Sequence, residues 1–252
     1  MEFVASGRIV FWEGGSLWVF DVPEEPPASR RVQMHAHHAF QVTMAIRGAF
    51  TLQLEDRALG GPVAVVAPDV RHSYAPLGLT SLLFVEPESR AGRVLATRLA
   101  GAPAASLDDM RGAAEDIESA LRTKASDDKL RDIGQRMIRE IVGVARSTEP
   151  DRRVRLMVQH AREHLDAPLS LSDVARRVGL SPSRASHLFV EETGLPFRTY
   201  LLWLRVSRAV DAYAGGASLT EAAVEAGFAD SAHLSRTFRR MFGLSAATLE
   251  ML

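Results

Sequence analysis

Hydrophobic positions along this chain change period twice. Up to about residue 90 they come in short alternating or continuous runs, Leu17–Phe20, Phe40–Ile46, Phe50–Leu54, Val63–Val66 and Ser81–Val85. Gly14-Gly15, Pro26-Pro27, Gly48, Gly60-Gly61 and the stretch from Pro76 to Gly78 cut them apart. Short runs between turn formers predict many strands in a sandwich or barrel. From Ser106 to Arg146 the spacing becomes helical: Leu107, Met110, Ala114, Ile117 and Leu121, then, past the polar break Thr123 to Asp128, Leu130, Ile133, Met137, Ile141 and Val144. Two helices of about two heptads each are too short to stand as a free coiled coil, so their seams pack on the barrel, on each other or on a second subunit. Ser147-Thr-Glu-Pro150-Asp reads as a hinge, and the remainder as helices.

Among these C-terminal helices a single pattern occurs twice. Leu171, Ala175 and Gly179 return after 48 positions as Leu219, Ala223 and Gly227, and Ser186, Phe189 and Gly194 return after 49 as Ser235, Phe238 and Gly243. Two copies are too few for a solenoid, which needs about three or more. In the first copy Val174, Ala175 and Val178 share a helical face, Gly179 tolerates positive φ in a turn, and Ser181-Pro182 supplies an N-cap and a first-turn proline. This is helix-turn-helix grammar. In the second helix of the first copy, Ala185, Leu188 and Phe189 point inward, while Ser183, Ser186, His187 and Val190 point outward. The second copy has Asp230 as N-cap, Leu234, Phe238 and Met241 inward, and Ala232, Ser235, Arg236 and Arg239 outward. Arg184 and His233 lie beside these outward sets. A guanidinium can bond a guanine edge at two points, which makes Arg236 the strongest base-reading candidate.

These residues, with Gly194-Leu-Pro-Phe197-Arg-Thr-Tyr200, Arg205, Ala209, Gly227-Phe228 and Arg236-Thr-Phe238-Arg239-Arg240-Met-Phe242-Gly243, resemble the AraC/XylS family of transcription regulators over Arg152 to about Leu249. The resemblance implies an all-α DNA-binding domain with two helix-turn-helix units joined by a long helix. One departure is visible: Ser245-Ala-Ala-Thr-Leu249 stands where the family usually has a proline and an aromatic-basic pair. Arg198, Thr199, Arg239 and Arg240 are candidate phosphate contacts, which set register without reading sequence. From Asp151 onward there are 13 Lys+Arg against 11 Asp+Glu, a net of +2 that leaves −3 for the first 150 residues. So mild a positive charge predicts modest non-specific DNA affinity.

The first ninety residues contain His35-Ala-His37-His38-Ala-Phe-Gln41, Gly48 six residues beyond the Gln, and later Pro68-Asp-Val-Arg71-His72. They resemble the two motifs of cupins, in which two His and a Glu from the first motif and a His from the second hold a metal. Here Gln41 stands at the Glu position, keeping a carbonyl oxygen and losing the charge. His35, His37, Gln41 and His72 are therefore either ligands of a divalent ion (Zn, Ni, Fe or Mn) or relics that line a pocket for an organic effector. Imidazole suits Zn, Cu, Fe and Ni. Two-residue spacing places His35 and His37 on one face of a strand with His38 on the other. Tyr74 joins the effector-binding candidates, and Trp12 and Trp18 are either pocket walls or plain core.

The fold expected is α+β: a cupin-like effector-binding barrel over residues 1–90, a helical linker over 91–150 where AraC-type proteins commonly form a homodimer, and the double helix-turn-helix domain over 151–252. At 252 residues and 46% hydrophobic the chain can fill two cores. With no Cys, disulfides and thiolate zinc sites are excluded. No signal-like segment and no apolar run near the ~20 residues of a membrane span occur, so a cytoplasmic protein is expected. Its partners would be double-stranded DNA and a small-molecule or metal effector, with no membrane. The expected function is a regulator in which effector and DNA binding are coupled, without enzymatic activity. The alternative is a metal-dependent cupin enzyme of dioxygenase or isomerase type with an ancillary DNA-binding domain.

Overall fold

A computed structural model describes residues 5–28, 31–143 and 149–252. The chain forms two compact units: Met1–Ser147 together with Ser235–Leu252, and Thr148–Leu234. Val144 of the expected seam and Ser147-Thr148 of the expected hinge lie outside the described residues.

The first unit is built on one sheet of eight strands: β1 (Ala5–Trp12), β2 (Gly15–Val22), β3 (Phe40–Leu54), β4 (Ala58–Leu59), β5 (Val63–Val66), β6 (His72–Val85), β7 (Ala104–Ser106) and β8 (Leu249–Met251). The order is β7-β5-β3-β6-β2-β1-β8, with β4 beside β3. All pairs are antiparallel except β1 with β8, in which the end of the chain adds a parallel strand to its beginning. Gly48 and the Pro76–Gly78 stretch do not end strands as their composition predicts. They face each other inside one long β3–β6 ladder that runs from Phe40 opposite Val85 to Leu54 opposite His72, with a bulge at Ala45/Arg47. A Cβ on Gly48 would lie 2.1 Å from the Leu77 carbonyl oxygen and one on Gly78 2.3 Å from that of Arg47, and both have positive φ. The two backbones approach this closely because neither residue has a Cβ, and the pairing continues without interruption through both glycines.

Both faces of this sheet are covered, and strand alternation decides which residue serves which face. Leu17, Val19, Val42, Met44, Leu83 and Val85 join a core completed by three helices, α1 (Arg90–Leu99), α2 (Arg111–Arg122) and α3 (Asp127–Val142). Ile117, Leu130, Ile133 and Met137 are the helical half of that core. The helical seams are thus used on the chain's own sheet, with Ala113 and Ala120 rather than Ala114 and Leu121 as the most buried companions of Ile117. Trp12 belongs here too: it packs over Gly134 of α3, where a Cβ would come within 2.5 Å of its ring. The intervening residues, Trp18, Phe20, Gln41, Thr80, Leu82 and Phe84, look the other way, into a cavity.

The second unit holds α4 (Arg152–Glu163), α5 (Leu171–Arg177), α6 (Pro182–Thr193), the long α7 (Phe197–Ala214), α8 (Leu219–Glu225) and the start of α9 (Ser231–Phe242). Ser170 and Ser181 cap α5 and α6, Ser218 and Glu221 form a capping box on α8, and the Asp230 carboxylate accepts the His233 backbone N–H at 2.6 Å. Val174, Ala175, Ala185, Leu188 and Phe189 are buried, and Phe189 meets Phe197 and Tyr200 edge-on. Ser183, Arg184, His187 and Val190 are exposed and Ser186 half-buried, so α6 presents the polar face its periodicity predicts. None of the described helices is long and apolar enough to cross a membrane.

Candidate functional site

Chemistry-bearing residues gather in three places: a histidine cluster, a cavity beside it, and the outward faces of α6 and α9. In the cluster, His35 and His37 are not on a strand, as their spacing predicts, but in the segment before β3. There His35 is held by a single bridge to His72, its backbone N–H donating to the His72 carbonyl and its carbonyl accepting the reverse bond, each 2.9 Å. The imidazole centres of His35, His37 and His72 lie 4.4 to 5.6 Å apart, and their candidate ligand nitrogens all fall within 4.8 Å of one another. His35 Nδ1 is 2.8 Å from the Gln33 carbonyl oxygen and His72 Nδ1 is 2.9 Å from that of Val70. A carbonyl can only accept, so both Nδ1 atoms carry the proton and both Nε2 atoms present a lone pair. Burial holds His35 down at about 4, helped by the neighbouring His72, and pushes His37 and His72 below their ordinary values as well. The three rings are neutral at pH 7.

Gln41 Oε1 is 3.1 Å from His37 Nε2 and 3.3 Å from His72 Nε2, while Gln41 Nε2 donates to Thr43 Oγ1 at 3.0 Å. With the His72 proton committed to Val70, its Nε2 lone pair faces a carbonyl oxygen, acceptor to acceptor. A cation among these atoms, or rotation of the Gln41 amide, relieves that opposition. His38 is separate from the cluster: its Nδ1 is 3.6 Å from Asp69 and its Nε2 3.5 Å from Glu88. Burial alone would lower it, but hydrogen bonding and charge from the two carboxylates prevail and raise it to about 9.

The cavity beside the cluster has a volume of about 220 Å³, with His35 and Gln41 in its wall. Trp18, Phe20, Leu82 and Phe84 make most of it apolar. Tyr74 donates to Thr80 Oγ1 at 2.6 Å, and burial, the larger influence, raises the Tyr74 hydroxyl well above its ordinary value. At the rim Arg31 pairs with Glu25 at 2.6 Å. One wall escaped sequence reasoning: Phe242, Leu244 and Leu249, from the end of the second repeat and the residues after it. Phe242 lies 5.0 Å from Trp18, Phe238 stacks on Trp18 at 6.5 Å, and the Gly243 carbonyl accepts the Gln33 backbone N–H at 2.8 Å. The departure from the family pattern at Ser245 to Leu249 was the available signal, since it set an apolar leucine in a stretch that the resemblance does not explain.

On α9, Ala232, His233, Arg236, Arg239 and Arg240 are exposed and Ser235 half-buried, and Arg198 is exposed in the first turn of α7. The sequence assigns all of α9 to the DNA-binding domain. The structure divides it, with Ser231 to Leu234 in the helical unit and Ser235 onward in the unit of the sheet.

A family model described as a helix-turn-helix domain matches residues 174–250. The arabinose operon regulatory protein of Escherichia coli is 33% identical over 116 residues, 44% of this chain and 39% of that protein. The HTH-type transcriptional regulator YpdC of the same organism, itself uncharacterised, is 35% identical over 81 residues, 31% of this chain and 28% of its own length. The chain therefore matches well under half the length of these relatives. A crystal structure of ToxT from Vibrio cholerae shares the fold over 94% of this chain and 96% of its own, with TM-score 0.59 at 12% identity. ToxT has also been solved with an unsaturated fatty acid bound, TM-score 0.58 at 12% identity over 93% of this chain and 94% of that one.

Proposed function

We propose that this chain, whose C-terminal region belongs with the AraC-type helix-turn-helix regulators, is a sequence-specific transcription regulator that takes a small, mostly apolar effector into the cavity of its sheet unit. The observation that carries the reading is that the cavity wall is completed by Phe242, at the end of the helix that bears Arg236. An effector that contacts Phe242, Leu244 and Leu249 has a different affinity for each arrangement of that helix. Effector and DNA are then coupled, each changing the other's affinity by the same factor. The seams of α2 and α3 are used on the sheet, and the route from effector to α9 runs through the C-terminal residues. The homodimer expected of the helical linker is tested by sedimentation velocity across micromolar concentrations. Such a regulator works in the compartment that holds the genome, the cytoplasm of a bacterial-type cell.

At about 220 Å³ the cavity lies below the usual ligand pockets of about 300–1,000 Å³, which points to a small molecule. Its apolar walls and the Arg31 guanidinium at the rim, where a ligand carboxylate would take the place of Glu25, fit an apolar tail with a carboxylate end, the chemical class of the fatty acid bound in ToxT. Titration of medium-chain carboxylic acids against Trp18 fluorescence, in the presence and absence of an operator selected from genomic fragments, tests both halves. Saturable quenching together with a shifted operator affinity supports the reading. Binding that leaves operator affinity unchanged refutes the coupling.

A second effector chemistry is favoured by the lone pairs of His35 and His72. Preset by main-chain carbonyls, they are in the tautomer metal ligands adopt. Three neutral imidazoles and an amide suit Zn or Ni better than Mn, which prefers carboxylates. Elemental analysis of the purified chain and of a His35→Gln/His72→Gln variant tests it. Equal metal content in both would exclude an ion at this cluster. The enzyme alternative has less support, because the regulators similar in sequence are not enzymes by name and Gln41 removes the carboxylate from the cluster. Turnover of a cupin-dioxygenase substrate by the metal-loaded chain would revive it.

A further inference from the structure

We propose that the C-terminal end of α4 carries a solvent-facing site for a divalent transition-metal ion, formed by His160, Glu163 and His164. Residues at positions 0, +3 and +4 share one face of a helix. Here the three side chains bring their candidate ligand atoms within 4.8 Å of one another, with the two imidazole centres 4.0 Å apart and inclined at 44°. His164 Nδ1 is 3.1 Å from the His160 carbonyl oxygen, so that nitrogen carries the proton and the Nε2 lone pair is left for a ligand bond. The Gln159 amide donates to Glu163 Oε1 at 2.8 Å and steadies the carboxylate on the same turn.

The location adds to the ligand set. α4 ends at Glu163, with His164 at its C-cap, and the last carbonyls of a helix carry partial negative charge that favours a cation. The charge of Arg177 opposes a cation there, and the Glu163 carboxylate compensates it. Two imidazoles and one carboxylate select zinc, nickel or copper over calcium and magnesium, which require mostly oxygen ligands. His160 is half-buried while Glu163 and His164 are exposed, so the remaining coordination positions face water and the ion is exchangeable. This site is independent of the buried cluster of His35, His37 and His72: it has a carboxylate, it lies in the helical unit, and it does not depend on an effector reading of the cavity. Chelation across one turn pins the end of α4, so the ion stabilises the unit that contains both turns of the DNA-reading repeat.

The test is titration of the chelator-treated full chain with Ni(II) and with Cu(II), followed calorimetrically and, for Cu(II), by electron paramagnetic resonance. The wild type is compared with His160→Gln/His164→Gln, with Glu163→Gln, and with His35→Gln/His72→Gln. We expect His160→Gln/His164→Gln to lose one equivalent, its two-nitrogen copper signal, and the metal-dependent rise in the unfolding temperature of the helical unit. Glu163→Gln should retain that equivalent with affinity weakened by about tenfold, and His35→Gln/His72→Gln should keep it in full. All three positions are at or near the surface, and circular dichroism confirms that the variants fold. A His160→Gln/His164→Gln chain that binds as many equivalents as wild type with unchanged affinity overturns the proposal. So does a His35→Gln/His72→Gln chain that binds no ion at all.

Discussion

Substituting Gly243 by Ala tests directly whether the C-terminal residues are fastened to the sheet. Gly243 has φ +73, and a Cβ there would lie 2.3 Å from the Gln33 carbonyl oxygen and 2.6 Å from His35 Nδ1. The left-handed backbone costs a non-glycine residue about 1–3 kcal/mol, and forcing an extra methyl against fixed atoms costs about 1–3 kcal/mol more. Its counterpart in the first repeat, Gly194, has φ +82 but nothing within 4 Å of a Cβ. Gly194→Ala should therefore carry the backbone cost alone, and carry it in the helical unit, so the sheet unit should differ between the two variants by at least the cost of the extra methyl, about 1–3 kcal/mol. The measurement is hydrogen exchange at the β1–β8 pairing, where the Leu252 N–H bonds the Gly7 carbonyl at 2.9 Å. A difference of ~1.4 kcal/mol is tenfold in exchange, so exchange there should be about tenfold or more faster in Gly243→Ala than in Gly194→Ala. Equal exchange in the two variants would refute the fastening, and with it the route from cavity to reading helix.

Further outcomes follow from the same structure. Arg236→Ala should cost about 1–3 kcal/mol at one base position of a selected operator, whereas Arg198→Ala should weaken all sequences alike and reduce the salt dependence; a binding array read at two salt concentrations separates them. His38, raised to about 9 in the folded chain against 6.5 unfolded, contributes stability that is fully present below pH 6.5 and lost as pH rises through about 9. The loss is at most about 3 kcal/mol, and urea unfolding of wild type and His38→Gln at pH 6 and pH 10 should show it only in the former. For His35 the sign reverses: its folded value of about 4 lies below the unfolded one, so its contribution is complete above pH 6.5 and is lost as pH falls toward 4. His35→Gln should flatten the stability profile of the sheet unit across that window.

The elements of this fold that alternation or helical period could mark were legible in the sequence. Val63–Val66 is a strand with the boundaries its apolar run predicts, and Ser181-Pro182 opens α6 as its capping pattern demands. Gly48 and Gly78 misled because glycine signals both a turn and a close approach of two backbones, and only the partner strand decides between them. The spacing of His35 and His37 predicts a shared strand face, yet their convergence is produced by a bridge to His72, a long-range pairing that no local pattern records. Leu244 and Leu249 flank or lie in a segment that departs from the family, so neither period nor resemblance pointed to the cavity they help to close. His160, Glu163 and His164 were not singled out in the sequence, because their side chains converge only once α4 is known to run to its end there.

The facing glycines of β3 and β6 also bear on how this chain folds. The Gly48–Gly78 crossing brings each Cα position close to the opposite main chain, with less than 2.5 Å left for any Cβ. A ladder that formed two residues out of step, keeping every side chain on its proper face, would set each glycine against a residue with a Cβ and lose this close approach. Alternation alone permits such even-numbered slips. The paired glycines disfavour them, because the close approach fits only glycine against glycine, and so act as a steric index mark for the longest strand pair among the described residues.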